Sequence, residues 1–180
     1  MARFLRKGTT KVRFLPKSAV DLASSGDARV PTVTEYLRAV ILDTQVNEVS
    51  GFAFSNNPIN TMSMDTDFVS QISGENTVEQ SSLTFYDDDT GASVIKTNLA
   101  KGTEGFVIFA VNGVSGTPAK SGSPSRPADP LGVKAGDTVE VWPVEVSANV
   151  NLYTVSNEAA MFRVDFAVTA EPETGAVPTE

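Results

Sequence analysis

The sequence predicts a mainly β fold: an antiparallel β-sandwich or small barrel flanked by one short α-helix, with long loops. Three observations carry this expectation. Phe162-Arg163-Val164-Asp165-Phe166-Ala167-Val168-Thr169 alternates apolar with mostly polar residues. Strand side chains point to opposite faces with period two, so Phe162, Val164, Phe166 and Val168 share one buried face. Gly136-Asp137 is a turn that runs into Thr138-Val139-Glu140-Val141-Trp142-Pro143-Val144-Glu145-Val146, a second long strand antiparallel to the first. An Asn-rich break at residues 149–157 separates the two. Phe106-Val107-Ile108-Phe109-Ala110-Val111 is apolar on both faces, as in a central strand covered on each side.

In chain order, residues 2–6 and 9–15 have strand character, with Gly8 as a turn or bulge between them and Pro16 as the stop. Residues 21–29, rich in Ser, Gly, Ala and Asp, read as a loop. Thr32 with Glu35 three residues on is a capping box, which starts a short helix. Residues 40–42 have no clear conformation. The β pattern returns at residues 47–54, and Asn56-Asn57-Pro58 signals a turn. Gly74-Glu75-Asn76 separates residues 68–73 from 77–86, which predicts a hairpin.

Further on, Ile95 and Leu99 have helical i, i+4 spacing within residues 92–101. Lys101-Gly102 marks the expected helix end. Asp87-Asp88-Asp89 stands at its start, where Asp88 and Asp89 cap free N–H groups. Residues 113–135, with Pro118, Pro124, Pro127 and Pro130, form a long exposed loop. Residues 171–180 read as a flexible tail. The organisation is one domain over residues 1–170.

A chain of 180 residues is long enough to bury a core without covalent staples. It has no cysteine and no histidine. Disulfides, thiolate nucleophiles and Cys or His metal ligands are therefore excluded, along with the commonest general base. The net charge of −8 is unevenly placed: residues 1–38 hold eight Lys/Arg against three Asp/Glu, and residues 39–180 hold six against nineteen. Opposite charge on opposite surfaces favours head-to-tail self-association. The N-terminus lacks the apolar run of a signal peptide, and no apolar run reaches the ~20 residues that span a bilayer. The expectation is a soluble chain made in a cytoplasm.

Candidate chemistry is sparse. Asp87-x-Asp89-x-Gly91 partly matches a Ca²⁺ loop, but Asn98 stands where the bidentate Glu belongs, and helix capping accounts for the cluster. Trp142 is a core or interface residue more often than a sugar platform. Pro143 cannot donate to a ladder, so an edge, bulge or register change is expected there. No nucleophile has a base at recognisable spacing. The reading assigns no catalytic residue, metal or cofactor.

Several stretches, taken in order, resemble the major tail tube protein of long, non-contractile-tailed (siphovirus-type) bacteriophages. They are Val49-Ser50-Gly51-Phe52, Ser81-Ser82-Leu83-Thr84-Phe85-Tyr86-Asp87-Asp88, and Leu99-Ala100-Lys101-Gly102-Thr103-Glu104-Gly105-Phe106-Val107-Ile108, followed by the strand from Gly136 and its partner at 162–169. The likeness covers residues 30–170. It implies a tail-tube fold and a structural virion protein that stacks as rings, six subunits each, into a conduit for DNA. The implied partners are the chain itself and the tape-measure, tail-tip and terminator proteins. DNA passes through the lumen without sequence-specific binding, and there is no membrane span. The implied location is the virion tail, after synthesis in the host bacterial cytoplasm.

On that reading residues 1–46 are an N-terminal strand and assembly loop. Assembly then uses this segment, residues 21–47 and residues 120–134, so deleting residues 21–44 should leave a folded monomer that makes no tubes. The expected ring-interface residues are Arg3, Arg6, Lys11, Arg13, Arg29, Arg38, Asp43, Glu140, Glu145, Arg163 and Asp165. Ser70, Glu75 and Glu79, on a hairpin whose polar face has no core to cover, are the expected lumen residues. The alternatives are a single-ring terminator or hub of the same fold and a β-sandwich carbohydrate or adhesion module. An acidic-residue enzyme ranks below both.

Overall fold

A computed structural model describes residues 10–20, 30–61, 70–88, 91–110, 136–153 and 159–177. The first half of the chain holds β1 (Lys11–Pro16), a 3₁₀ turn (Lys17–Ala19), α1 (Val33–Arg38), β2 (Val40–Ile41) and β3 (Val46–Ser50). Then come β4 (Phe54–Asn56), β5 (Ile59–Thr61), β6 (Ser70–Ile72), β7 (Asn76–Val78) and β8 (Ser81–Tyr86). The second half holds α2 (Gly91–Asn98), β9 (Glu104–Ala110), β10 (Thr138–Leu152), β11 (Met161–Val168) and β12 (Glu173–Ala176).

The main sheet is antiparallel and runs β2-β1-β9-β10-β11-β8-β3, with β12 added to β10. Its two ends, β2 and β3, are consecutive in the chain. In the turn between them Leu42 N–H donates to the Val12 carbonyl, while the Gln45 carbonyl accepts from Tyr86 N–H. That turn bridges β1 to β8, so the sheet returns on itself as a barrel. Closure satisfies edges that an open sheet would leave unpaired.

Alternation decides which residues fill the barrel. On β9, Val107 and Phe109 point inward, and Phe106, Ile108 and Ala110 point outward to a second apolar layer. On β10, Trp142, Val144 and Val146 are inside, and Val139 and Val141 are outside. From β11 the expected face appears: Phe162, Val164 and Phe166 are buried in the core and Val168 packs against it. The helix α2 sends Ala92, Ile95 and Leu99 into the same core. Helix α1 covers the outer face of the barrel with Tyr36 and Ala39, both fully buried. Each large apolar side chain so buried contributes roughly 1.5–3 kcal/mol.

Among the described residues two short helices, α1 and α2, flank the barrel, where one was expected. The capping box of α1 is present in both halves: Glu35 N–H donates to Thr32 Oγ1, and Thr32 N–H donates to Glu35 Oε2. The strand β10 runs to Leu152, into the first four residues of the expected Asn-rich break, with a register shift between Val146 and Ala148. Pro143 sits at a change of partner. On one edge of β10, residues 138–141 pair with β12 and residues 144–152 with β11. A residue without an N–H fits that changeover, and its carbonyl still accepts from Thr169 N–H at 3.0 Å.

Three expectations are corrected. The hairpin placed at 68–73 and 77–86 does not form. Instead β3 pairs with β8, β4 with β7 and β5 with β6, making one long two-stranded arm. Gly74 lies in the break between β6 and β7, where a Cβ would meet the Asn57 carbonyl oxygen at 1.9 Å. The glycine marks a close crossing of the strands, not their turn. Second, the tail is ordered at residues 173–177: β12 pairs with β10, and Val177 is buried and exchanges backbone hydrogen bonds with Gly136 and Asp137. Third, residues 21–44 are not dispensable to the monomer, because Tyr36, Ala39 and Leu42 belong to its cores. Residues 1–9, 21–29 and 113–135 lie outside the described residues, and so do the expectations placed on them.

Candidate assembly surfaces

Three surfaces remain once the cores are filled. The first is the layer outside β1. Arg13 projects from β1 under α1, its guanidinium carbon 4.6 Å from the centroid of the Tyr36 ring. It is 1% exposed, so it serves this chain's own packing, and its assignment to a subunit interface is corrected. Flat, weakly hydrated guanidinium stacks well on an aromatic face. Burial pushes the Tyr36 hydroxyl above its ordinary pKa range, and the Arg13 charge pulls the other way. Lys11 pairs with Asp43 at 2.8 Å, tying β1 to the β2–β3 turn. Arg38 is exposed on the last turn of α1. Val20, Val30 and Val33 are only partly buried against this layer. Between Val20 and Glu35 lies an apolar pit floored by Leu15, Phe106 and Ile108.

The second surface is the outer face of β10, β11, β8 and β3. Val150, Arg163, Thr84 and Glu48 stand in one cross-strand row there. Arg163 pairs with Asp165 at 2.9 Å; Arg163 stays half exposed, whereas Asp165 is buried. Tyr86 donates its hydroxyl to Asn47 Oδ1 at 2.7 Å and remains exposed, and Tyr153 is 90% exposed. Glu145 faces solvent opposite Glu104, which pairs with Lys17 at 2.7 Å. Glu140 departs from the expected partner-facing position. It shares the inward parity of Trp142 and accepts the indole N–H at 2.8 Å. Trp142 is itself buried, against Phe52, and so is no platform for a sugar.

The third surface is the arm. Phe54 faces Val78 and Ile59 faces Ile72 across it, all four exposed. At its waist Asn56 Nδ2 donates to Ser73 Oγ, the Gly74 carbonyl and Asn76 Oδ1, while Asn56 Oδ1 accepts from Gly74 N–H. At its base Gly51 has φ +80°, and a Cβ there would meet the Gln80 carbonyl oxygen at 2.1 Å. Phe52 next to it lies edge-on to Phe109 and Trp142. Ser70, Glu75 and Glu79 are all exposed on this arm. The apolar pairs escaped sequence reading because Ile59, Ile72 and Val78 each stand singly between non-hydrophobic neighbours.

The acidic cluster works as a cap. Asp88 Oδ1 accepts from Ala92 N–H at 2.9 Å, and Oδ2 accepts from Gln45 Nε2 at 2.7 Å. Asp87 holds Lys96 with both oxygens. Lys96, rather than Lys101, is the cation of the last helical turn. Asp89, Arg3, Arg6 and Arg29 lie outside the described residues. Among the described residues no three acidic side chains converge as a metal site.

The described residues form a barrel with a projecting arm and an exposed outer face, and their clustered carboxylates serve as helix cap and ion-pair partner. Residues 1–179 match the family described as phage tail tube protein. The chain belongs to that family; it is a structural component of the phage tail and not an enzyme. No curated protein matches the sequence. Among solved structures, a chain of the six-fold symmetrised cryo-EM structure of the anti-feeding prophage baseplate is similar with a TM-score of 0.57 and 8% identity, covering 98% of this chain and 99% of that one. A chain from the tail of an empty GTA particle, refined with helical C6 symmetry, gives 0.49 and 10%, covering 97% and 100%. A crystal structure of Hcp protein gives 0.42 and 9%, covering 93% and 98%.

Proposed function

We propose that this chain self-assembles into stacked rings of six, forming the tube through which DNA leaves a long, non-contractile tail. The chain is made in the host cytoplasm and joins tape-measure, tail-tip and terminator proteins in the virion. The observation that carries the reading is a closed barrel, in a chain of the tail tube family, whose four-stranded outer face and long arm the other described residues leave uncovered. β1, β8, β9, β10 and β11 are paired on both sides, which leaves few strand edges to polymerise by, so face and arm supply the contacts. Heterologous contacts that do not close on two copies continue as rings or filaments. The acidic body lets phosphates slide past by repulsion rather than binding them.

Negative-stain microscopy of the purified chain at rising concentration tests this. Tubes of uniform width, with six-fold end-on views, are expected. Isolated rings point to the terminator or hub of the same fold, and small featureless particles at every concentration overturn assembly altogether.

A further inference from the structure

Among the described residues nothing covers the arm's apolar side chains. Phe54 is 52% exposed, Ile59 56% and Ile72 53%. They sit as facing pairs on a two-stranded ribbon, which is marginal in water without a third layer. The ribbon is also one-signed: from Ala39 to Ile95 the sequence has no lysine or arginine, and the arm carries Glu75 and Glu79. Two arms would therefore repel each other. The layer over β1 has the opposite character, with half-buried Val20, Val30 and Val33, an apolar pit, and Arg38 exposed one helical turn after Glu35 at the pit's edge. Arg38 has no ion-pair partner among the described residues.

We propose that the arm of one copy docks on the α1 layer of a second copy. Its apolar pairs lie over the valines and the pit, and its carboxylates lie near Arg38. This deepens the tube reading and rests on it. The two surfaces differ, so the contact is heterologous and propagates instead of closing on a dimer. Glu75 and Glu79 then meet a neighbour rather than a lumen. The N-terminal third, basic in sequence, becomes the receiving side of each subunit.

The test is the critical concentration for assembly of the full chain, read by sedimentation, with circular dichroism confirming that each variant is folded. Ile59→Ser with Ile72→Ser removes two apolar anchors and raises it at least about tenfold. Glu75→Lys with Glu79→Lys brings like charge to Arg38 and raises it about threefold, and adding Arg38→Glu restores the wild-type value. Assembly of the serine variant at the wild-type concentration overturns the proposal and assigns the apolar pairs to another tail component. Failure of Arg38→Glu to restore the lysine variant overturns the α1 layer as the receiving surface. Wild-type chain that never assembles overturns the tube reading itself, and this contact with it.

Discussion

Tyr36 lies fully buried under the guanidinium of Arg13, and burial holds its hydroxyl above the ordinary tyrosine range. Desolvation penalises the phenolate, while the cation nearby favours it, and desolvation is the larger effect. The sign of the pH dependence follows. A group whose pKa is raised in the folded state keeps its proton there after the unfolded chain has released it, so its stabilisation is complete below the unfolded value and is lost as pH rises through the folded one. Stability should therefore fall as pH climbs past about 10, at up to about 1.4 kcal/mol per pH unit from this residue. Tyr36→Phe keeps the aromatic face under Arg13 and removes the proton. Urea titrations between about pH 9.5 and 11 should show a shallower decline for the variant. Equal slopes would mean that the hydroxyl is not desolvated.

At the scale of elements, the α2 cap shows how one carboxylate joins two parts of the barrel. Asp88 caps the helix through Ala92 N–H and holds the Gln45 amide of the β2–β3 turn. Asp88→Ala removes the cap and leaves a buried amide without its acceptor, at about 2 kcal/mol in all. Gln45→Ala added to it should then cost less than the sum of the singles; additive values would refute the link. Elements with a local cause were legible in the sequence. They include the Thr32 capping box, the two-sided strand β9, the alternation of β11, and the break in pairing at Pro143. What was not legible depends on long-range approach. Gly74 reads as a turn until Asn57 is seen crossing it, and Val177 is a lone hydrophobe in a polar tail until β10 offers an edge. Glu140 and Glu145 differ by an odd number of residues, so alternation already put them on opposite faces. The candidate surfaces were half visible: charge placement pointed to the N-terminal third, whereas the arm's apolar pairs appear only once β4 meets β7 and β5 meets β6.

At the scale of the molecule, barrel and arm should differ in stability by construction. Opening the barrel exposes two apolar cores and breaks a sheet in which β9, β10 and β11 each have partners on both sides. Among the described residues, opening the arm past Gly51 breaks two short pairings of three residues each and exposes little that is not already wet. Amides of β4 to β7 should thus exchange through local opening at low free energy, while those of β9 and β10 exchange near the global limit. Assembly should reverse this for the arm alone. Covering its apolar pairs adds roughly 2–3 kcal/mol to the cost of opening, or about 30- to 150-fold slower exchange. Hydrogen-exchange mass spectrometry on free and assembled subunits reads both quantities in peptides covering residues 52–61 and 70–80. Arm peptides as protected as β10 in the free subunit would show that the arm is not the weak element. Arm peptides left unchanged in assembled material would show that the arm takes no part in the contacts, and the outer face of β10, β11, β8 and β3 would then have to carry assembly by itself.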